Sequence, residues 1–297
     1  MLNIGIVGLR NAQQYIDALA ELPAFSFKGI YDPCLLIDKN PKTQFNVFQS
    51  FNDLCNQCNA VIFSIDDSLY HPLVSEAIRN SLDIFLSGVH NYNTNELQSL
   101  KLLHYEANTY IQVGHPFIYT TTFQEMKKAC AQPLDIQCTI TQTNEQKIVS
   151  IVRSHVSSLL TLINSSVHKA SVNVYSSFSS MPDSMRVRLD FNNGTIGNIC
   201  VDQYGFEKTH TIKMLGYNVM AEANLISNKV RAINSLDAQN IIETNLPFDN
   251  ITKNELNNFY NNIMGNTSIH NTIDNEINTH FACQKIHEKM RINFNIF

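Results

Sequence analysis

Leu2-Asn-Ile-Gly-Ile-Val-Gly8-Leu-Arg-Asn-Ala-Gln-Gln-Tyr-Ile-Asp-Ala-Leu19, followed by Phe27-Lys-Gly-Ile-Tyr-Asp-Pro33, decides the reading of this chain. Leu2 to Val7 is short, apolar and rich in branched residues, as a strand buried on both faces must be. Gly8 breaks it with a turn. Ala12, Tyr15, Ile16 and Leu19 then recur at helical spacing. A second strand over 26–31 ends at Asp32. Strand, turn, helix, strand and acid in this order are the start of a dinucleotide-binding βαβ unit.

A full glycine fingerprint would place Gly at 8, 10 and 13, but the chain has Gly8, Arg10 and Gln13. The second glycine lets backbone approach a pyrophosphate, and the third lets helix and strand pack closely. Arg10 either clamps a phosphate bidentately or fills an empty site. Asp32 is either an ordinary turn acid before Pro33 or a partner for an adenosine ribose, favouring NAD over NADP. Leu9 and Asn11 complete the candidate cofactor turn.

The 297 residues, 44% hydrophobic and only 16% charged, can build two globular domains. A net charge of −5 offers no broad basic field for nucleic acid or an anionic membrane. No apolar run reaches the roughly 18 residues of a membrane span. The N-terminus lacks the basic region of a signal peptide. Seven scattered cysteines suit reduced thiols, and the expectation is a cytoplasmic protein.

Further strands are expected over 46–51, 60–65, 83–86 and 110–113. Helices are expected over 51–58, 70–80 and 95–107, the last capped by Thr94. This alternation predicts an α/β fold, a Rossmann-type doubly wound parallel sheet over 1–115. Its ligand crevice lies at the carboxyl ends of the strands, near Gly8, Asp32, Ser64 to Ser68 and Ser87 to His90. After Gly114-His115-Pro116 the pattern changes. Helices are read over 123–130, 149–164, 254–264 and 273–290. Strands are read over 134–141, 185–191, 196–201, 210–215 and 219–221. Asn192-Asn193-Gly194-Thr195 marks a hairpin. Residues 116–297 are thus expected to form an α+β domain with a largely antiparallel open sheet.

Taken together, these segments resemble the glucose-fructose oxidoreductase/inositol dehydrogenase (Gfo/Idh/MocA) family over nearly the whole chain. Ile4-Gly5-Ile6-Val7-Gly8 and Tyr31-Asp32-Pro33 look like its opening. Ala60 to Ser64 with His71 is similar to its Thr-Pro-x-x-x-His segment. Ile84-Phe85-Leu86 resembles the approach to its Glu-Lys-Pro motif. Arg153-Ser154-His155-Val156 resembles its Gly-x-His-x-x-Asp helix. The resemblance implies hydride transfer between NAD or NADP and a sugar-like or polyol substrate, and a homo-oligomer formed through the C-terminal sheet. It implies cofactor contacts from Gly8, Leu9, Arg10, Asn11, Asp32, Ser64, Ile65, His71, Ser87 and Gly88, and proton handling by His155.

The departures concern the chemistry. Ser87-Gly88-Val89 stands where Glu-Lys-Pro is expected, so no lysine is there to move a proton. Ser158 stands where the acid after the helix histidine is expected, and Ile151 where another acid sometimes lies. Tyr119, His90 and His115 are substitutes that also have plain structural readings. Asp66-Asp67 reads as a solvated turn, or as two carboxylates repelling phosphate. Cys55-x-x-Cys58 has no second pair, and no metal site is expected. Three functions follow: an oxidoreductase with a degenerate catalytic motif, an inactive pseudoenzyme that binds a nucleotide or sugar-like ligand, and a structural partner subunit.

Overall fold

A computed structural model describes residues 1–33, 45–141, 148–176, 182–234, 237–267 and 270–294. The chain divides into two compact units, Met1–Pro116 with Asn250–Ile277, and Phe117–Asp249 with Asn278–Phe297.

In the first unit, β1 (Leu2–Val7), β2 (Phe25–Tyr31), β3 (Ala60–Phe63), β4 (Asp83–Leu86) and β5 (Ile111–Val113) form one sheet in the order β2-β1-β3-β4-β5. Every pairing is parallel. Successive residues of a strand point to opposite faces, so each strand feeds two cores. Ile4, Ile6, Ile62 and Phe85 pack with Tyr15 and Leu19 of α1 (Ala12–Ala20) and with Leu256 and Phe259 of α7 (Ile251–Ile263). Val61, Phe63, Ile84 and Leu86 pack on the other face. Their partners include Leu54 of α2 (Phe51–Cys55), Val74 and Ile78 of α3 (His71–Arg79), and Leu97 and Leu100 of α4 (Thr94–Ala107). Burial on both faces explains the unbroken apolar runs of the sequence.

Several local expectations change. The strand expected over 46–51 is a single parallel bridge, Ile30 to Val47. Ser50 ends it by accepting a hydrogen bond from Asp53 N, 3.1 Å, which starts α2 instead. Asn93, not Thr94, caps α4, because Asn93 and Glu96 close a reciprocal capping box. Residues 250–277, placed with the second domain by the sequence reading, pack in the first unit, since the apolar stripe of α7 completes the core beside α1.

The second unit carries α5 (Thr121–Ala129), β6 (Pro133–Thr141), α6 (Ile148–Ile163), β7 (Val167–Tyr175), β8 (Ser184–Phe191), β9 (Ile196–Asp202), β10 (Thr209–Gly216), β11 (Val219–Asn224), β12 (Lys229–Asn234) and β13 (Asp237–Asn245). The last helix, α8 (Ile273–Phe294), starts in the first unit and ends in the second. The eight strands run β13-β12-β11-β10-β6-β9-β8-β7. All neighbours are antiparallel except β6 and β9. Met185, Val187, Leu189 and Phe191 alternate inward as expected. The hairpin between β8 and β9 turns at Gly194, φ +86°. The sequence reading missed β7, β12 and β13. No helix among the described residues is long and apolar enough to cross a membrane.

Candidate functional site

With β1 flanked by β2 and β3, the winding reverses between β1 and β3. In open α/β sheets such a switch point opens a crevice outside the carboxyl ends of the strands. The chain leaves β1 at Gly8 with φ +89°, a conformation that L side chains rarely adopt. A Cβ there would lie 2.3 Å from Cδ1 of Ile65. Gly8 N donates to Tyr31 O, 3.0 Å, and the Ser64 hydroxyl donates to Gly8 O, 2.6 Å. Leu9 N donates to Oδ2 of the buried Asp32, 2.9 Å. The ends of three strands are thereby laced around one turn.

Arg10 and Asn11 are exposed at that turn. Asn11 is the N-cap of α1 but makes no side-chain capping bond, and the first turn of the helix holds no acid. The partial positive charge of the helix N-terminus is therefore not neutralised from within α1. Gln13, at the third glycine position, points outward and donates to Asp17 Oδ1, 2.7 Å. Its neighbour Ala12 is the small buried residue against the core.

A second cluster forms at the ends of β3 and β4. Asp67 accepts from Leu69 N, 2.9 Å, and caps a 3-10 turn over Ser68–Tyr70. Asp66 reaches to the loop after β4. Its Oδ2 lies 2.5 Å from His90 Nδ1 and accepts from His90 N at 3.1 Å. Its Oδ1 accepts from Asn91 N, 3.3 Å, and Asn91 Nδ2 donates back to Asp66 O, 2.6 Å. Burial pushes the Asp66 carboxyl upward, but the hydrogen bond and charge of His90 and the two backbone N–H groups outweigh it, so the group sits below its ordinary pKa. Gly88 lies against this pair, and a Cβ there would stand 3.0 Å from Asp66 Oδ2 and 3.1 Å from His90 Nδ1. Ser87 N continues the sheet by donating to Phe63 O, 2.9 Å. His71 opens α3 with its ring 6.2 Å from that of Tyr92.

The structure thus gathers Gly8, Leu9, Arg10, Asn11, Asp32, Ser64 and Ile65 at the turns after β1, β2 and β3, and sets Ser87 and Gly88 at the end of β4. His155 belongs to the second unit, on α6. Its Nδ1 lies 2.8 Å from Ile151 O, which can only accept, so the proton is on Nδ1. Its Nε2 lies 2.9 Å from Nε2 of His210 and accepts the proton of that ring. Both nitrogens of His155 have partners, and Phe117 packs over the ring with centroids 4.8 Å apart. Burial lowers His155 to a pKa of about 4, which the bond to Ile151 O only partly offsets. Burial, then repulsion from His155, lowers His210 to about 3. The pair is neutral at physiological pH. Ser158, in the place of an acid, donates its hydroxyl to Ser154 O, 2.8 Å.

Of the other candidates, Tyr119 is buried in the second unit. Cys55 and Cys58 are buried thiols pushed to about 11 and about 12, chiefly by burial. No cluster of three His, Cys, Asp or Glu suited to a metal occurs among the described residues. One buried group escaped the sequence reading. Glu255 of α7 accepts from His115 N, 2.7 Å, and burial pushes its carboxyl up to about 8 despite that bond. A signal existed, since Glu255 shares the buried stripe of Leu256 and Phe259.

By sequence the chain matches no protein-family model and no curated protein. By structure it matches several dehydrogenases end to end. UDP-N-acetylglucosamine 3-dehydrogenase GnnA from Acidithiobacillus ferrooxidans superposes with a TM-score of 0.83 at 13% identity, covering 97% of each chain. An oxidoreductase from Agrobacterium radiobacter, solved with NAD+, L-tartaric acid and magnesium, gives 0.78 at 11% identity, covering 97% of this chain and 96% of its own. The WlbA dehydrogenase from Bordetella pertussis, solved with NADH and UDP-GlcNAcA, gives 0.72 at 15% identity, covering 98% of this chain and 97% of its own. The chain has the two-domain Gfo/Idh/MocA fold.

Proposed function

We propose that the chain is a divergent NAD-dependent oxidoreductase of the Gfo/Idh/MocA type, acting on a sugar-like or polyol substrate. The observation that carries this reading is the turn from Gly8 to Asn11, pinned to Asp32 and facing an uncapped α1 N-terminus at the switch point of the sheet. Its chemistry fits a dinucleotide. The helix N-terminus and the Arg10 guanidinium favour a pyrophosphate. The Asp32 carboxylate favours a free ribose hydroxyl over a 2′-phosphate, hence NAD over NADP. When bound, the nicotinamide supplies the hydride acceptor or donor. The second unit supports a further part of the reading, self-association through its sheet. Leu215, Met220, Ile233 and Ile241 stand opposite one another across β10 to β13, and Leu215, Met220 and Ile241 are exposed.

A second reading, ligand binding without turnover, is favoured by one observation: Gly88 leaves no side chain where the resembling family has its lysine. A positioned acid or base typically contributes 10²–10⁴-fold in rate. Calorimetry with NAD and NADP, followed by nicotinamide absorbance across a panel of sugar nucleotides and polyols, separates the readings. The oxidoreductase reading expects saturable NAD binding and an absorbance change with at least one substrate. Binding without turnover favours the second reading, and no heat at millimolar cofactor removes the first.

A further inference from the structure

We infer that His90, oriented by Asp66, is the proton carrier of this site and stands in for the lysine that Gly88 replaces. The inference rests on the oxidoreductase reading and names a residue for it. Nδ1 of His90 faces the Asp66 carboxylate at 2.5 Å, which fixes the proton on Nδ1 in the neutral ring. The lone pair is then on Nε2, to which nothing bonds among the described residues. The His90 side chain is 47% exposed and that of Asp66 24%, so the ring meets solvent while its orienting group is sheltered. Asp66 cannot swing away freely, because it also holds His90 N and Asn91 N and takes a bond from Asn91 Nδ2 on its own carbonyl. An imidazole fixed by a carboxylate, with its second nitrogen open at the crevice edge of the sheet, is the arrangement that general acid–base chemistry needs.

Gly88 gains a physical reason from the same geometry. A side chain at 88 would begin 3.0 Å from Asp66 Oδ2 and 3.1 Å from His90 Nδ1, inside the pair. A side chain at 88 would press on the Asp66–His90 contact, and glycine leaves it undisturbed. Tyr92 is raised by burial and then by the charges of Asp66, Glu96 and Asp67. In alcohol oxidation the hydroxyl O–H bond breaks and its proton goes to Nε2. The C–H electron pair leaves as hydride to the oxidised nicotinamide, and a carbonyl and an imidazolium remain. The imidazolium returns its proton to water. Reduction runs the same proton back from Nε2 to the carbonyl oxygen. Asp66 acts through His90 and is a positioning residue.

The test uses the full chain, 15N-labelled at histidine. Wild type is expected to show a neutral His90 protonated on Nδ1. Asp66→Asn is expected to shift the His90 tautomer balance toward protonation on Nε2, because the carboxylate that holds the Nδ1 proton is gone. Gly88→Ala is expected to disturb the same tautomer by pressing a methyl against the pair, with both side chains chemically unchanged. In the turnover assay, His90→Ala is expected to lose about 10²–10⁴-fold in kcat, to keep NAD affinity within about threefold, and to regain rate with added imidazole, which a stapling role would not allow. A neutral His90 protonated on Nε2, or a His90→Ala enzyme at wild-type rate, overturns the assignment and leaves the oxidoreductase reading intact. A wild-type chain that binds NAD and turns nothing over overturns both.

Discussion

Replacing Glu255 by Gln should change how stability responds to pH. The carboxyl accepts His115 N at 2.7 Å inside the first unit, where burial pushes its pKa up to about 8 from an ordinary 4.5. Between those values the folded protein binds a proton that the unfolded chain has released, so stability falls as pH rises through that window. At ~1.4 kcal/mol per pH unit the full cost of ionising Glu255 is on the order of 4–5 kcal/mol above pH 8. Gln keeps the acceptor for His115 N and carries no charge, so it escapes this cost. Thermal melts of both proteins at pH 5 and pH 8 read the difference. The variant should gain on wild type by roughly 10 °C as pH rises, at about 2–4 °C per kcal/mol for units of this size. Comparing the two proteins cancels titrations they share. Parallel curves would refute the argument and mean that Glu255 ionises at ordinary cost.

Gly8→Ala places a Cβ at positive φ and 2.3 Å from Ile65 Cδ1, and should cost about 1–3 kcal/mol of stability while weakening NAD binding at least tenfold. An unchanged dissociation constant would remove the turn from the site. His155→Phe orphans the Nε2–H of His210 and should cost about 1–3 kcal/mol with NAD affinity and pH–rate profile preserved. A stable variant without turnover would return the proton chemistry to His155. Asn93→Ala opens the capping box of α4 and should lower stability by about 1 kcal/mol in urea titration, with no change in ligand binding. A larger fall in binding would tie α4 to the crevice.

The parallel sheet was legible because two-face burial leaves continuous apolar runs, and Gly8 with Asp32 was legible because turn and acid follow two such runs at the right spacing. The strand expected over 46–51 was a bridge because one capping bond from Ser50 redirected the chain, a choice that periodicity does not record. Residues 250–277 went with the wrong neighbours because a helical stripe says that a face is buried, not against what. Asp66 and His90 are 24 residues apart and separated by α3 and β4. The doublet Asp66-Asp67 therefore read as a solvated turn. Neither residue follows a local pattern, and only the parallel register that sets β3 beside β4 brings them together. Likewise, no spacing rule joins His155 to His210, since the bond depends on where β10 enters its sheet.

The central claim is that the turn after β1 still cradles a dinucleotide. Crystals of the protein soaked with NADH test it most directly. The account predicts density for the pyrophosphate over residues Gly8 to Asn11, at the α1 N-terminus, with the adenosine ribose beside Asp32. Clear density for the protein with solvent alone over that turn at millimolar NADH would contradict it.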